Sequence, residues 1–436
     1  MPLPNSRPAK ILRGATTLFL ALALTATAIA QSPPAAQSWK VWGGPTADFI
    51  IPAPPLAATW PAAGPRRIWQ RPLGEGYSSI AVEGNTLYTM YQRPASFWQI
   101  FTYDQEVVAA LNAATGETIW EFPYDAPFSA AYPESGDGPR AMPVIVGNLV
   151  VTAGATGKIH ALDKRSGKLV WRHDLYEEFG AARMPHGYSS HPVPYKDSLI
   201  VLAGGSKGAV LSLKPSTGEV IWAKLDFENA HSTPLLINVD GQDQMAAFTA
   251  RSIIGFDPAT GERLWSYPHT TEYGLAVSTP VWAPEEGILV FASAYGYGTT
   301  ALQLSRSGAK TDAKKLWHES RMQLHFGSMI RLADTLYLSS GHSGPAFLCA
   351  LDLKTGEILW RERGFAKASL LHADGKFLIA DENGMLALAS AGRKGLKVLA
   401  KSEILQPNAW TVPTLVGSTL YIRDRHDIMA LDLAGR

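Results

Sequence analysis

The chain has 436 residues, of which 46% are hydrophobic and 18% are charged, and its formal net charge at pH 7 is +1. The charged fraction lies below the roughly 25% of an average soluble protein, and the near-neutral balance gives no overall field that favours nucleic acid or an acidic surface. The single cysteine, Cys349, excludes an intramolecular disulfide, a redox pair of cysteines and haem attachment through two cysteines.

Residues 1–30 have the three parts of a secretory signal peptide. Three basic residues precede an apolar run at 15–24, and the small residues Ala28 and Ala30 follow it. We expect cleavage after Ala30 and an exported mature protein, either periplasmic or secreted. An uncleaved anchor is the alternative, but the run is shorter than the roughly 20 residues that span a bilayer. No later stretch reaches that length, so no transmembrane segment is predicted in the mature chain.

Residues 31–64 are rich in proline and alanine and predict an irregular N-terminal strap. Trp39, Trp42 and the Gly-Gly-Pro at 43–45 are too apolar to hang in water. We therefore expect the strap to lie against the folded body.

An eleven-residue motif at 161–171, Ala-Leu-Asp-Lys-Arg-Ser-Gly-Lys-Leu-Val-Trp, recurs along the chain. Five copies place a glycine four residues before a tryptophan, and these copies end at Trp120, Trp171, Trp222, Trp265 and Trp360. Short apolar segments flank an Asp-x-x-Thr-Gly-like turn whose glycine can adopt a positive φ. Each copy therefore predicts a β-hairpin, and the fixed period predicts a repeat architecture.

The tryptophan positions recur every 43 to 52 residues from Trp69 onward, and Leu399 stands at a degenerate eighth position. Two further strand-like runs separate successive motifs, which gives four strands per unit. The sequence therefore predicts an all-β fold, an eight-bladed β-propeller of four-stranded antiparallel blades over residues 65–436. A linear β-solenoid is the structural alternative.

The two ends of the repeat array complement each other. The segment at Ile68 and Trp69 lacks the first half of the motif, whereas residues 430–435 form a first half with no tryptophan after them. We expect the N- and C-terminal strands to share one blade and close the ring. An open solenoid would need capping units instead of a split repeat.

The motif at 161–171, its copy Ala-Leu-Asp-Leu-Lys-Thr-Gly-Glu-Ile-Leu-Trp at 350–360, and Ser-Thr-Pro-Leu resemble the pyrroloquinoline-quinone-like (PQQ-like) repeats. Quinoprotein alcohol dehydrogenases share these repeats with the propeller lipoprotein that assists outer-membrane barrel assembly, and the resemblance extends from Arg66 to Arg436. It implies a structural role for the motif tryptophans, which dock between neighbouring blades in that family. By this resemblance the docking residues are Trp69, Trp120, Trp171, Trp222, Trp265, Trp317 and Trp360.

The resemblance to quinoprotein dehydrogenases also implies a vicinal cysteine pair, calcium ligands and a catalytic aspartate. Cys349 stands alone, and neither the calcium ligands nor the aspartate can be placed. The lipobox cysteine of the assembly lipoprotein is missing as well. We therefore predict an exported, non-catalytic binding or scaffold module with no cofactor, metal site or catalytic residue. The alternative is a PQQ-dependent oxidoreductase of the alcohol or sugar dehydrogenase type, with PQQ and calcium as its cofactors.

A binding site is expected on the face where each blade crosses to the next, at the mouth of the central channel. Polar and aromatic residues that enter the inner strands could share this channel as a site for an anion or polar ligand. The predicted ligand-binding residues are Arg140, His186, Tyr188, His231, His325 and Trp410. Hydrogen-bonded structural histidines are the alternative.

Two long loops on the same face, at 91–106 and 122–140, are rich in aromatic residues. They predict an aromatic lip that binds a peptide strand, a sugar or a flat ring. The lip residues are Tyr91, Phe97, Trp98, Phe101, Tyr103 and Tyr124. Packing of these rings on one another is the alternative.

The predicted partner is a protein or small molecule and not nucleic acid, and we expect a monomer.

Overall fold

The computed structural model describes residues 1–2, 38–93, 104–131, 136–342 and 344–434. Contacts divide the chain into residues 1–35 and residues 36–436, and every element below belongs to the second unit. The predicted signal peptide lies outside the described residues except for Met1 and Pro2, so export and cleavage stay predictions. Of the predicted lip, Phe97, Trp98, Phe101 and Tyr103 also lie outside them.

Eight antiparallel sheets of four strands each form the fold, and one sheet carries a short fifth strand. This confirms the predicted all-β, eight-bladed propeller, with neighbouring strands of a blade joined by hairpins. One short helix, α1 (Leu175–Phe179), interrupts the pattern between the second and third blades. Among the described residues, none of the helical structure is long and apolar enough to cross a membrane.

The strands follow one another from the channel outwards in each blade. Two strands precede the first blade: β1 (Ile50–Ile51) and β2 (Arg66–Pro72). Blade 1 comprises β3 (Ala81–Glu83), β4 (Thr86–Arg93), β5 (Gln105–Asn112) and β6 (Thr118–Asp125). Blade 2 comprises β7 (Val144–Val146), β8 (Leu149–Ala153), β9 (Lys158–Asp163) and β10 (Leu169–Asp174). Blade 3 comprises β11 (Val193–Tyr195), β12 (Ser198–Gly205), β13 (Gly208–Leu213) and β14 (Val220–Lys224).

The second half of the ring repeats this order. Blade 4 comprises β15 (Leu235–Val239), β16 (Gln242–Phe248), β17 (Ser252–Phe256) and β18 (Arg263–Pro268). Blade 5 comprises β19 (Val281–Ala283), β20 (Ile288–Ser293), β21 (Gly298–Ser307) and β22 (Lys310–Glu319). Blade 6 comprises β23 (Ile330–Leu332), β24 (Thr335–Ser340), β25 (Phe347–Asp352) and β26 (Ile358–Glu362). Blade 7 comprises β27 (Ala368–Ala373), β28 (Lys376–Asp381), β29 (Met385–Gly392) and β30 (Gly395–Glu403), and blade 8 adds β31 (Thr414–Val416), β32 (Thr419–Arg423) and β33 (Asp427–Asp432).

The motif turn is fixed by its aspartate and glycine. In blade 6 the Asp352 carboxylate accepts hydrogen bonds from the backbone N–H groups of Lys354 (3.0 Å) and Thr355 (2.9 Å). Gly356 follows at φ +72°, where a side chain would be strained, and its N–H donates to the Asp352 carbonyl at 2.9 Å. The recurring spacing of the motif within the chain is thus the spacing of this turn.

A tryptophan from one blade packs on the turn glycine of the next blade. A Cβ atom on Gly218 would lie 2.7 Å from Cδ2 of Trp171, so only glycine leaves room for the indole. The indole Nε1–H also donates to a turn carbonyl of the next blade. These bonds join Trp69 to Ala113 (2.9 Å), Trp120 to Lys164 (3.1 Å), Trp171 to Pro215 (2.7 Å), Trp222 to Ala259 (3.0 Å), Trp317 to Leu353 (2.9 Å) and Trp360 to Gly392 (2.8 Å).

Trp265 departs from this arrangement because blade 5 lacks the glycine turn of the motif. The Trp265 indole lies over Gly255 of its own blade, where a Cβ atom would come within 1.8 Å of Nε1. Its Nε1–H donates to the Gln244 side chain (2.8 Å), and Gln244 in turn donates to Thr311 of blade 5 (2.7 Å). The buried Gln244 amide therefore replaces the tryptophan as the link between blades 4 and 5.

Blade 8 closes the ring as the split repeat predicts. Strand β2 from the N-terminal side pairs antiparallel with β33, so this blade has the order β2-β33-β32-β31. The fully buried Arg423 in β32 then reaches into blade 1, where its guanidinium donates to the carbonyls of Met90 (2.6 Å) and Gly74 (2.9 Å). Burial lowers the pKa of Arg423 to about 10, and hydrogen bonds to the surrounding carbonyl oxygens stabilise its positive charge.

The N-terminal strap lies across the channel and contacts the inner strands. The backbone of Trp39 pairs with Val82 of blade 1, and the carbonyl of Lys40 accepts from Ile145 of blade 2 (2.9 Å). Strand β1 pairs in parallel with β27 of blade 7. The contacted residues lie towards the far ends of the inner strands, so the strap covers the face that carries the motif turns.

Two glycine substitutions separate indole docking from backbone strain. Gly218 and Gly241 both have positive φ, +75° and +86°, but a Cβ atom on Gly241 would meet nothing within 4 Å. We expect Gly241→Ala to cost about 1 kcal/mol through strain alone. Gly218→Ala should cost about 1–3 kcal/mol more because the Trp171 indole must move. Free energies of unfolding from urea titrations test this, and equal losses in the two variants would contradict the docking account.

Candidate functional site

The central channel contains a cavity of about 1040 Å³, counting the part open to solvent. Seven of its lining residues occupy one position of the repeat, four residues before the first residue of an inner strand. These residues are Tyr77, Arg140, Ser189, His231, Val277, Phe326 and Trp410. The crossover connections end at this position, so the cavity opens on the crossover face. A binding site therefore has its wall built from seven different blades.

Trp42 of the strap forms the floor of the cavity. Its indole stacks on the His191 ring with centroids 4.3 Å apart and an interplanar angle of 18°. Its Nε1–H donates to the Thr279 hydroxyl at 2.8 Å. Phe49, itself buried, packs edge-on against the Trp42 ring with centroids 5.3 Å apart. The strap thus joins blades 3 and 5 below the cavity and makes it blind at the turn face.

The cavity wall carries imidazoles that are neutral at pH 7. Burial lowers the pKa values of His191, His231 and His325 to about 3, with smaller contributions from Lys367 on His325 and from His186 on His231. One nitrogen of each ring is engaged: His191 Nδ1 with Thr233, His231 Nδ1 with Ser189 (3.0 Å) and His325 Nε2 with Tyr295 (2.9 Å).

The second ring nitrogens of these histidines have no hydrogen-bond partner although they are buried. His191 and His231 are 6% and 7% exposed. The hydroxyl of Tyr77, a residue 6% exposed, is likewise without a partner. A buried polar atom left unpaired costs about 1–3 kcal/mol. Such atoms in the wall of an open cavity are therefore candidates for contact with a ligand.

Arg140, Tyr77 and Trp410 form one side of the mouth. The Tyr77 ring stacks on Trp410 with centroids 5.2 Å apart, and the Arg140 guanidinium lies 5.2 Å from the Tyr77 ring centre. Arg140 donates from Nε to the His186 carbonyl (2.5 Å) and from Nη2 to Gly136 (2.9 Å). Trp410 donates to Glu382 at 3.0 Å. These contacts hold the side chains in fixed orientations.

The predicted ligand-binding residues separate into two groups. Arg140, His186, His231, His325 and Trp410 all line the cavity. Tyr188 does not line it. Its side chain turns away into the packed core between blades 2 and 3, where the hydroxyl donates to the Leu202 carbonyl at 2.9 Å.

The described part of the aromatic lip is also placed elsewhere. Tyr91 is buried in blade 1, and its hydroxyl donates to Glu121 at 2.8 Å. The Tyr124 hydroxyl donates to the fully buried Glu106, whose carboxylate also accepts from Ala155 N–H of blade 2 (2.9 Å). Burial raises the pKa values of both Glu106 and Tyr124. The two tyrosines therefore serve packing and blade-to-blade contact.

Sequence reasoning missed the floor and much of the mouth ring. Tyr77, Ser189, Val277 and Phe326 could have been found by counting four residues back from each inner strand. Trp42 had no such signal because the strap lies outside the repeat, and its partner Thr279 is 237 residues away.

The donor set does not fit the calcium ion of the dehydrogenase alternative. Calcium takes six to eight oxygen ligands, commonly from carboxylates. Among the described residues that line the cavity, none carries a carboxylate. The described part of the chain also contains no group of three or more His, Cys, Asp or Glu residues placed to hold a metal ion. The lining that is described thus lacks both calcium ligands and a catalytic aspartate.

One family model matches more than half of the chain. The family model described as "Outer membrane protein assembly factor BamB" matches residues 104–362. The protein of that name from Burkholderia pseudomallei is 25% identical over 294 residues, which cover 65% of this chain and 70% of the relative.

Two solved structures share the fold at low sequence identity. The crystal structure of BamB from Moraxella catarrhalis is 15% identical with a TM-score of 0.57, and the match covers 85% of this chain and 98% of that one. The quinohemoprotein alcohol dehydrogenase from Comamonas testosteroni is 13% identical with a TM-score of 0.63, covering 92% of this chain and 81% of that one. At these identities the likeness shows the fold alone.

The buried histidines predict a loss of stability in acid. The folded-state pKa of His191 is about 3 and the unfolded value is about 6.5, so only the unfolded chain takes up this proton between those pH values. The contribution of the neutral, buried His191 to the free energy of unfolding is complete above pH 6.5 and declines as pH falls. Between pH 7.5 and pH 5, wild type should lose about 2 kcal/mol more than His191→Asn.

Urea unfolding at the two pH values measures this difference. His426→Asn, at an exposed histidine, controls for the substitution itself. An equal loss of stability in wild type and His191→Asn would contradict the neutral, buried state of this ring.

Proposed function

Because the chain belongs to the family described as outer membrane protein assembly factor BamB, we propose that it is an exported, non-catalytic binding propeller. It holds a segment of a partner protein at the mouth of its channel, as part of outer membrane protein assembly. The blind cavity with unpartnered hydrogen-bonding groups in its wall is the observation that carries the proposal. Membership of the family supports a role in outer membrane protein assembly, and the cavity supports the channel mouth as the binding site.

The chemistry of the wall supports binding over catalysis. The three imidazoles stay neutral down to about pH 3, which makes them poor general bases at pH 7. The single thiol, Cys349, is buried in blade 6, and burial raises its pKa to about 12, so it is no nucleophile. What the described wall offers is a set of fixed donors and acceptors beside aromatic rings.

Rigidity of the wall also favours binding. Each mouth residue is held just before an inner strand, and the strap contacts the inner strands of blades 1, 2 and 7. The tryptophan contacts and Arg423 fix the blades against one another farther from the channel. A preformed site loses little conformational entropy when a ligand binds. Export rests on the basic, apolar and small-residue parts of residues 1–30.

Site-specific photo-crosslinking in the source cell tests the proposal. Tyr273 lies in the crossover from blade 4 to blade 5, is 62% exposed, and its ring is 5.6 Å from that of Tyr295 in the cavity wall. A photo-reactive phenylalanine at Tyr273 should crosslink to an envelope protein of the outer membrane assembly apparatus, which mass spectrometry would identify.

The matched control carries the same group at Ile221, which is 55% exposed on the outer strand β14. We expect no crosslink, or a much weaker one, from this position. The same partner crosslinked equally from both positions, or no envelope protein from Tyr273, would contradict binding at the mouth.

A further inference from the structure

The hydrogen-bond partners of the cavity histidines determine what their second nitrogens present. The Thr233 hydroxyl accepts from the His191 backbone N–H at 3.1 Å and also meets His191 Nδ1. Among the described contacts, the acceptor for the proton of the Thr233 hydroxyl is Nδ1 of His191. Donation to Nδ1 places the ring proton on Nε2, because a neutral imidazole carries one proton. With this tautomer, the unpartnered Nε2 of His191, a residue that lines the cavity, carries an N–H donor.

The same reasoning applies to His325. The Tyr295 hydroxyl meets His325 Nε2 at 2.9 Å and is held by no other described acceptor. A proton donated by this hydroxyl to Nε2 makes the unpartnered Nδ1 of His325 an N–H donor. Ser189 can donate to Nδ1 of His231 (3.0 Å) or to its carbonyl (3.1 Å), and the first choice makes Nε2 a donor as well.

The remaining polar groups of the wall are also donors. The Tyr77 hydroxyl has no partner, and burial raises its pKa, so it keeps its proton at pH 7. The Arg140 guanidinium lies beside it, and burial lowers the pKa of Arg140. Asp137 and Glu106 act on Arg140 from a distance, but neither lines the cavity.

This set of donors is matched by a ligand that only accepts. A carboxylate has two oxygens with about four acceptor sites and no donor, and hydrogen bonds to it are about twice as strong as neutral ones. The described lining holds no carboxylate of its own that would compete. The cavity interior strengthens these bonds further because its effective dielectric constant is low.

The apolar residues of the wall determine what kind of group can carry the carboxylate. Trp42 forms the floor, Trp410 and Phe326 have ring centroids 5.8 Å apart at the mouth, and Leu275 and Val277 line the same space. Aromatic and aliphatic surfaces of this kind bury a planar or apolar group next to the donors.

From this juxtaposition we infer that the cavity binds a carboxylate carried on an aromatic or apolar body, through Tyr77, His191, His325 and Arg140. The inference rests on the proposed function and specifies the ligand chemistry of the same site. The carboxylate belongs either to the C-terminus of a polypeptide or to a free aromatic acid, and the two share the recognition described above.

Calorimetric titration of the mature protein with matched acids and amides tests the inference. One pair is indole-3-acetate and indole-3-acetamide. The other is the N-acetylated tripeptide Val-Tyr-Phe with a free or an amidated C-terminus. We expect at least one acid to bind about tenfold or more tightly than its amide. Acids and amides of equal affinity, or no binding of either acid, would overturn the inference.

Tyr77→Phe removes one atom, the unpartnered hydroxyl. We expect the affinity for the bound acid to fall about tenfold or more, because one hydrogen bond to a charged group is lost. The unfolding midpoint should stay the same or rise, since no protein hydrogen bond is broken. An unchanged affinity in Tyr77→Phe would contradict the assignment.

Tyr421→Phe is the matched control. The Tyr421 hydroxyl donates to the Ala113 carbonyl at 3.2 Å, away from the cavity, so this variant should lose stability and keep the affinity for the acid. A loss of affinity equal to that of Tyr77→Phe would show that the effect is not local and would overturn the inference.

The two proposals fail in different ways. A crosslink from Tyr273 to an envelope protein, with no preference of the protein for acids over amides, refutes the carboxylate site alone. A clear preference for acids with no crosslink refutes the partner role and keeps the carboxylate site. Tighter binding of the tripeptide acid than of indole-3-acetate identifies a polypeptide C-terminus as the source, and the reverse order identifies a free acid.

Discussion

The contact of a tryptophan with the turn glycine of the next blade is the constraint on which this structure depends. A four-stranded blade cannot bury both of its faces alone, and an eight-membered ring is stable only when each blade fixes the next. The Trp171 indole fills the space that a Cβ atom on Gly218 would need, and its N–H satisfies the Pro215 carbonyl. Because the contact recurs around the ring, it fixes blades against their neighbours and so supports the ring whose inner strands follow the mouth residues.

Between blades 4 and 5, where this contact is missing, the Gln244 amide replaces it. Between blades 8 and 1 the contact of Trp69 is present, and the buried Arg423 adds a second link. The strap then joins the inner strands across the channel, with Trp42 seated between His191 and Thr279. A rigid ring with a closed floor leaves one face open, and the open face is where the unpartnered donors lie. The binding properties proposed for this chain follow from that asymmetry.

The features that depend on the Gly–Trp repeat could be predicted from the sequence. The eight blades, the hairpin turns and the shared terminal blade all follow from the spacing of Gly and Trp, and Arg140, His231 and Trp410 stand at one repeat position. Tyr188 was misplaced because adjacent residues of an extended chain point in opposite directions. Tyr91 and Tyr124 were assigned to a lip, but Glu121 and Glu106 hold them inside the blades. Trp42 and the unpartnered nitrogens depend on contacts between distant segments, which no local pattern encodes.

The central claim is that neutral imidazoles present N–H donors to an acceptor in the channel. Nitrogen NMR of the ¹⁵N-histidine-labelled protein measures this directly, because it reports the charge and the tautomer of each ring. The account predicts that His191 at pH 7 is neutral with its proton on Nε2, and that this resonance shifts on addition of indole-3-acetate and not of indole-3-acetamide. A charged His191 ring at pH 7, or a proton on Nδ1 with no response to the acid, would contradict it.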